Sequence, residues 1–237
     1  MAFDISPATS PRTVSNCKAC PVQSCPARSE KLGSPWPRMT DLAGPKAPGS
    51  AQIMTAGTPL STLFSVRAGC VKSFTIDAHG NEHVRAFHFP GDLVGLDALG
   101  ADQSRASAAP VTPSQVCAMP ADELKRRFYS EPALAGELLI TIQRQLGLAL
   151  ALTGEYTADE RVAAFLLHVQ ARIGSGNILR LPMTRREIGS YLRLATETVC
   201  RALTRFEKKG WITSADKRIT LHDPDALRAL AEPVGLY

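Results

Sequence analysis

The chain has 237 residues, 44% of them hydrophobic and 21% charged, with a formal net charge of +5 at pH 7. That is room for one large or two modest domains, and the composition is globular rather than disordered. No run of about 18 apolar residues occurs, so no membrane-spanning helix is expected. The first 30 residues also lack the apolar core of a secretory signal. The expected location is the cytoplasm, where thiols stay reduced. The six cysteines therefore read as ligands, reactive groups or core fillers rather than disulfides.

Residues 1–16 are Ser, Thr and Pro with almost no core formers, and read as unstructured. Cys17, Cys20 and Cys25 follow. Three soft ligands on one loop suit a zinc ion or an iron–sulfur cluster, and either needs a fourth ligand from elsewhere. Residues 26–52 stay rich in Pro, Gly, Ser and Ala, and no helix is expected there. Residues 1–52 are thus expected to form a flexible segment carrying the cysteine cluster.

From Leu60 to Pro120 short β-favouring runs alternate with turn signals: LFSVRAG, CVKSFTIDAHGNEHVRAFHF, GDLVGLDALG and SQVCAMP. His79-Gly80-Asn81 reads as a hairpin turn. This spacing predicts a small antiparallel barrel or jelly roll over 53–120, with Cys117 in its last strand and Cys70 as a buried filler. The glycines at 91 and 95 lack the spacing and helix context of a phosphate-cradling loop, and read as a turn.

Helical periodicity takes over after Pro120. ADELKRRFYS predicts a short helix, and residues 131–154 a longer one with Leu134, Leu138, Ile142, Leu146, Ala149 and Leu152 recurring every three or four positions. Between 138 and 154 its only charge is Arg144. Such a helix needs a partner, and the simplest is its own copy across a two-fold axis. Residues 121–156 are therefore expected to carry a homodimer seam through Leu138, Ile142, Leu146, Ala149 and Leu152. Residues 157–173 predict a third helix with Val162, Phe165, Leu166 and Val169 on one face.

The stretch MTRREIGSYLRLATETVCRALTRFEKKG, residues 183–210, reads as two short helices joined by a tight turn. Thr184 and Glu187 make a capping box, and Ile188, Tyr191 and Leu192 form the first buried stripe. Val199, Leu203 and Phe206 form the second, and Gly210 closes it. Ala195 is a poor cap, so Thr196 is expected to cap the second helix. Eight basic residues against three acidic ones lie between Arg180 and Gly210, which accounts for the whole net excess of the chain. That suits a phosphate backbone. Two β-favouring runs around Ala215-Asp216-Lys217 add a wing whose Lys217 and Arg218 face the backbone. Residues 157–237 are thus expected to form a winged helix-turn-helix unit in an α+β chain, with double-stranded DNA as its expected partner.

A β-roll, an apolar dimer helix and a winged helix in this order resemble the cyclic-AMP receptor protein superfamily. Residues 63–74 (LFSVRAGCVKSF), 87–99 (FHFPGDLVGLDAL), 116–120 (VCAMP), 158–165 (ADERVAAF) and 183–210 are similar to its oxygen-sensing branch, the fumarate-and-nitrate-reduction regulators (FNR). The resemblance implies that Cys17, Cys20, Cys25 and Cys117 hold a [4Fe-4S] cluster. It implies a dimer that binds DNA while the cluster is intact and parts when oxygen degrades it. It also implies base readout by Glu197, Arg201 and the residue at Cys200, where the family has serine. Thr196, Arg185, Arg205 and Lys217 complete the expected DNA-contacting set. The implied partners are a palindrome of the form TTGAT-N4-ATCAA and RNA polymerase. The spacing Cys20 to Cys25 is one residue shorter than the family's.

The same residues admit three other readings. A cyclic-nucleotide sensor would need an acid and an arginine inside the roll, and the corresponding stretch offers Asp97 and Arg105. Zinc, thiol-redox or nitric-oxide switching would use the same cysteines. An enzyme is not expected, because none of the five histidines is paired with acids or cysteines in a catalytic spacing.

Overall fold

A computed structural model describes residues 12–13, 22, 38–45, 52–101, 103–153 and 155–234. They fall into two compact units, one within residues 1–77 and 85–141, the other within 78–84 and 142–237.

The first unit is the β-roll. Its strands are β1 (Arg12–Thr13), β2 (Arg38–Leu42), β3 (Thr62–Ala68), β4 (Val71–Ile76), β5 (Glu82–His88), β6 (Leu93–Val94), β7 (Ser107–Pro110) and β8 (Ser114–Pro120). They make a five-stranded sheet in the order β1-β2-β8-β3-β6 and a three-stranded sheet in the order β5-β4-β7. Leu63, Val66, Leu93, Val94, Val116 and Met119 from the first sheet pack with Val71 and Ala108 from the second in one core. The period-two alternation of buried side chains expected of half-buried strands supplies that core.

SQVCAMP is β8 as expected. Two features were not anticipated. Residues 38–42, inside the stretch read as a flexible segment, form β2 and pair antiparallel with β8. In GDLVGLDALG only Leu93 and Val94 form a strand; Gly95, at φ 92°, turns the chain into a 3-10 helix over Leu96–Ala98. A side chain at that φ would be strained, so the glycine rather than the apolar pattern decides the local structure.

Helix α1 (Ala121–Ser130) follows β8 without a gap, and α2 (Pro132–Thr153) begins two residues after it ends. Ala121 and Leu124 of α1 and Leu134 and Leu138 of α2 belong to the same core as the strands. Leu138 was expected in the dimer seam and is instead fully buried in the roll. One turn of periodicity cannot tell two apolar surfaces apart, and the strands claim this part of the helix. Burial of that side chain contributes about 1.5–3 kcal/mol.

The second unit contains α3 (Ala158–Ile173), β9 (Ile178–Arg180), α4 (Arg185–Leu192), α5 (Thr196–Lys208), β10 (Ile212–Ala215), β11 (Arg218–Leu221) and α6 (Pro224–Ala231). Thr157 and Glu160 close a capping box at the start of α3. Val162, Phe165, Leu166 and Val169 are buried as expected, and the Phe165 ring meets Tyr191 of α4 edge-on at 5.9 Å. Helix α6 packs on α3. The wing has three strands in the order β10-β11-β9; the third, β9, is too short to have shown a strand pattern. No helix among the described residues is long and apolar enough to cross a membrane.

Candidate nucleic-acid interface

Local chemistry fixes α4 at both ends. Thr184 Oγ1 accepts from the Glu187 amide at 3.2 Å, and Glu187 Oε2 accepts from the Thr184 amide at 2.7 Å, so two otherwise orphaned donors are satisfied. At the other end Arg193 turns left-handed at φ 55°, and the Leu194 amide donates to the Gly189 carbonyl at 2.8 Å. That bond, six residues back to one, is a Schellman ending. Arg161 of α3 adds its Nη1 to the Leu192 carbonyl at 2.8 Å, a clamp that no sequence pattern signals.

The turn is therefore three residues long, and α5 starts directly after it. Ala195 is the N-cap and makes no side-chain bond, while Thr196 is already the first helical residue. The expectation that Thr196 caps α5 is corrected. Its backbone is inside the helix, so its hydroxyl stays on the exposed surface instead of turning back to an amide.

Val199, Ala202, Leu203 and Phe206 bury one face of α5, and Phe206 packs beside Trp211 with ring centroids 5.8 Å apart. The opposite face exposes Thr196, Glu197, Cys200 and Arg201 together. Arg201 Nη2 donates to Glu197 Oε1 at 2.6 Å, one turn apart and both well exposed. An exposed pair of this kind contributes little to stability. It leaves a guanidinium fork and a carboxylate on one surface, suited to guanine O6 and N7 and to cytosine N4. Replacing Arg201 with Ala is expected to weaken DNA binding by about 1–3 kcal/mol and to relax preference at one base pair. Anisotropy titrations against duplexes substituted one pair at a time read this directly; an unchanged profile would place the reading surface elsewhere.

The other expected contacts divide. Arg205 makes a two-pronged pair with Asp159 of α3, Nε to Oδ2 at 2.8 Å and Nη2 to Oδ1. This carboxylate holds the guanidinium's pKa above its usual range. Lys217 lies at the wing turn, where its Nζ donates to the Pro182 carbonyl at 3.2 Å. Asp216 beside it is left-handed at φ 54°. Arg185 is half-buried and donates to Ser214 Oγ at 2.8 Å and to the Asp216 carbonyl at 3.4 Å. Burial lowers its pKa, and the facing Cys200, Glu207 and Asp216 partly offset that.

Of the four cysteines expected to hold a metal group, Cys17, Cys20 and Cys25 lie outside the described residues. Cys117 is in the centre of the five-stranded sheet, paired in register with Met39 on β2 and Ser65 on β3. Like its neighbours Val116 and Met119 it is buried, at 8% exposure. A soft thiol on a sheltered sheet face fits one corner of a thiolate site. Val22, between Cys20 and Cys25, is also buried. No group of three or more His, Cys, Asp or Glu able to hold a metal occurs among the described residues. Cys70 is a buried filler, as expected. Asp97 and Arg105, the pair a cyclic nucleotide would need, are both exposed.

Comparison with known proteins fits this geometry. Residues 160–230 match the Crp-like helix-turn-helix domain, and residues 47–130 match the cyclic nucleotide-binding domain. The transcriptional activator protein FnrA of Stutzerimonas stutzeri is 35% identical over 76% of each chain. The chain belongs to the Crp/Fnr family of transcription regulators. The fumarate and nitrate reduction regulatory protein of Salmonella typhimurium is 36% identical over 76% of this chain and 74% of its own. The structure of FixK2 from Bradyrhizobium japonicum superposes with a TM-score of 0.72 at 29% identity, covering 82% of this chain and 96% of that one. As a Crp/Fnr regulator the chain binds DNA and dimerises, and it is not an enzyme.

Proposed function

We propose that this regulator senses oxygen through a [4Fe-4S] cluster held by Cys17, Cys20, Cys25 and Cys117, and switches genes of anaerobic or microaerobic metabolism. The observation that carries the reading is the placement of Cys117. It is a buried thiol at the middle of the central strand of the five-stranded sheet, and that strand runs without a gap into α1 and on to α2. When bound, such a group supplies oxygen lability. A group bound by Cys17, Cys20, Cys25 and Cys117 would hold the three N-terminal cysteines against β8, next to the helices that lead to the dimer seam. The signal then acts on an association equilibrium, so chain concentration matters.

The seam of this proposal is the exposed stripe of α2. Leu139, Ile142, Leu146 and Leu150 are 57%, 40%, 58% and 63% exposed at spacings of three, four and four. That stripe suits a helix pair across a two-fold axis. Ala149 is exposed beside it, and the side chain of Leu152 lies outside the described residues. Two recognition helices about 34 Å apart then meet a palindrome such as TTGAT-N4-ATCAA, one half-site each. Thr196, Glu197, Cys200 and Arg201 read bases, while Arg205 and Lys217 approach phosphates. The bound dimer works with RNA polymerase in the cytoplasm.

The test is anaerobic purification followed by iron, sulfide and zinc analysis with a visible spectrum, repeated after exposure to air. The expected result is about four iron and four sulfide per chain and a brown absorbance that bleaches in air. Cys117→Ser is expected to lose the colour. One zinc unaffected by air, or no metal at all, would leave the DNA-binding dimer standing and remove the oxygen switch.

A further inference from the structure

We propose that Arg185 is a positioning residue for the wing: with Glu207 it clasps Ser214, and so sets where Lys217 and Arg218 meet DNA. The inference rests on reading the wing as a phosphate-facing element. Strand β10 is the edge of its sheet, paired on one side only by β11, which is itself backed by β9. An edge strand presents unpaired amides. The Ser214 amide meets Glu207 Oε1 at 2.7 Å, from the last turn of the recognition helix. The Ser214 hydroxyl meets Arg185 Nη2 at 2.8 Å, from the first turn of α4, and the same nitrogen reaches the Asp216 carbonyl at 3.4 Å. One wing residue is thus gripped by both helices of the helix-turn-helix, two positions before the turn.

This grip decides between two roles for Arg185. A phosphate ligand needs an exposed charge. Arg185 is half-buried, its Nη2 is engaged by Ser214 Oγ and the Asp216 carbonyl, and the acids Glu207 and Asp216 face it. Lys217 and Arg218 are exposed at the wing end that the clasp orients. The two hydrogens of Arg185 Nη2 are held in the guanidinium plane and so face Ser214 Oγ and the Asp216 carbonyl together, whereas a lysine ammonium is a rotating point charge on a flexible stem.

The experiment uses the full chain and the variants S214A, R185K and R185A. Amide exchange of residues 211–221 is measured in the protein alone, and the salt dependence of binding is measured with a random-sequence 30-base-pair duplex. A clasp predicts that S214A and R185K behave alike. In both, wing amides lose at least tenfold in protection, and the log–log salt slope falls by about two per protomer as Lys217 and Arg218 leave the phosphates. The proposal is overturned if S214A moves neither readout while R185A lowers the slope by about one and R185K restores it, since Arg185 is then a phosphate ligand. If S214A frees the wing amides but leaves the slope unchanged, the wing carries no phosphate contacts, and the DNA reading beneath the proposal falls instead.

Discussion

Replacing Leu146 with Asp is expected to convert the dimer to a monomer and to abolish binding to a palindromic duplex at concentrations where the parent chain binds it. Leu146 is in the middle of the exposed stripe of α2, a helix of 22 residues and therefore about 33 Å long. A leucine buried across a two-fold axis counts twice, at about 1.5–3 kcal/mol each, and the variant also faces two carboxylates towards each other. Together these raise the dimer dissociation constant by about 10²–10⁴. Without the second protomer the half-sites lose their linkage, and with it the avidity of bivalent binding. Sedimentation equilibrium reads the association directly. A variant that stays dimeric at micromolar concentration would place the seam on another surface. The roll is expected to remain folded, because its own share of α2 is Leu134 and Leu138, which are untouched.

Adding a single methyl at Gly189 is the second large effect. A Cβ there would meet the Leu194 carbonyl oxygen at 2.7 Å and the Thr196 nitrogen at 3.4 Å. Both are backbone atoms, one of the turn and one of the first residue of α5, so neither can yield by rotating a side chain. Gly189→Ala should cost about 1–3 kcal/mol as overpacking, and Gly189→Val more. For a unit of this size each kcal/mol lowers the melting temperature by about 4–8 °C. The larger consequence is geometric. The same turn sets the angle of α5 against α4, so DNA binding should fall further than stability does. Calorimetry and anisotropy on the same samples separate the two. A Gly189→Ala chain with parental Tm and affinity would mean that the turn has room which this geometry denies it.

Helix α2 divides its apolar residues between two surfaces. Its apolar residues recur regularly over the whole length, and periodicity alone assigned Leu138 and Leu146 to one seam. The strands of the roll decide otherwise, because they cover Leu134 and Leu138 and leave Leu139, Ile142, Leu146 and Leu150 exposed. A pattern with a period near 3.6 shows that a face is apolar; it does not show which neighbour covers it. Arg185 teaches the same lesson for charge. Its position in a basic helix-turn-helix suggested a phosphate contact, and only the fold of the wing back onto α4 brings Ser214 and Asp216 to its guanidinium.

Sequence alone determined the local elements with their own chemical signals: the Thr184–Glu187 box, the turn between two amphipathic helices, β8 around Cys117, and the basic excess on the DNA-binding unit. Each rests on residues within a turn or two of one another, where propensity and capping act directly. Tertiary structure decided what depends on partners distant in the chain. It drew β2 onto β8, split α2 between core and surface, anchored Arg205 to Asp159, and held the wing through Arg185 and Glu207. Apart from the Glu207–Ser214 bond, such contacts form between residues dozens of positions apart, and no local free energy distinguishes them until the chain has closed around its cores.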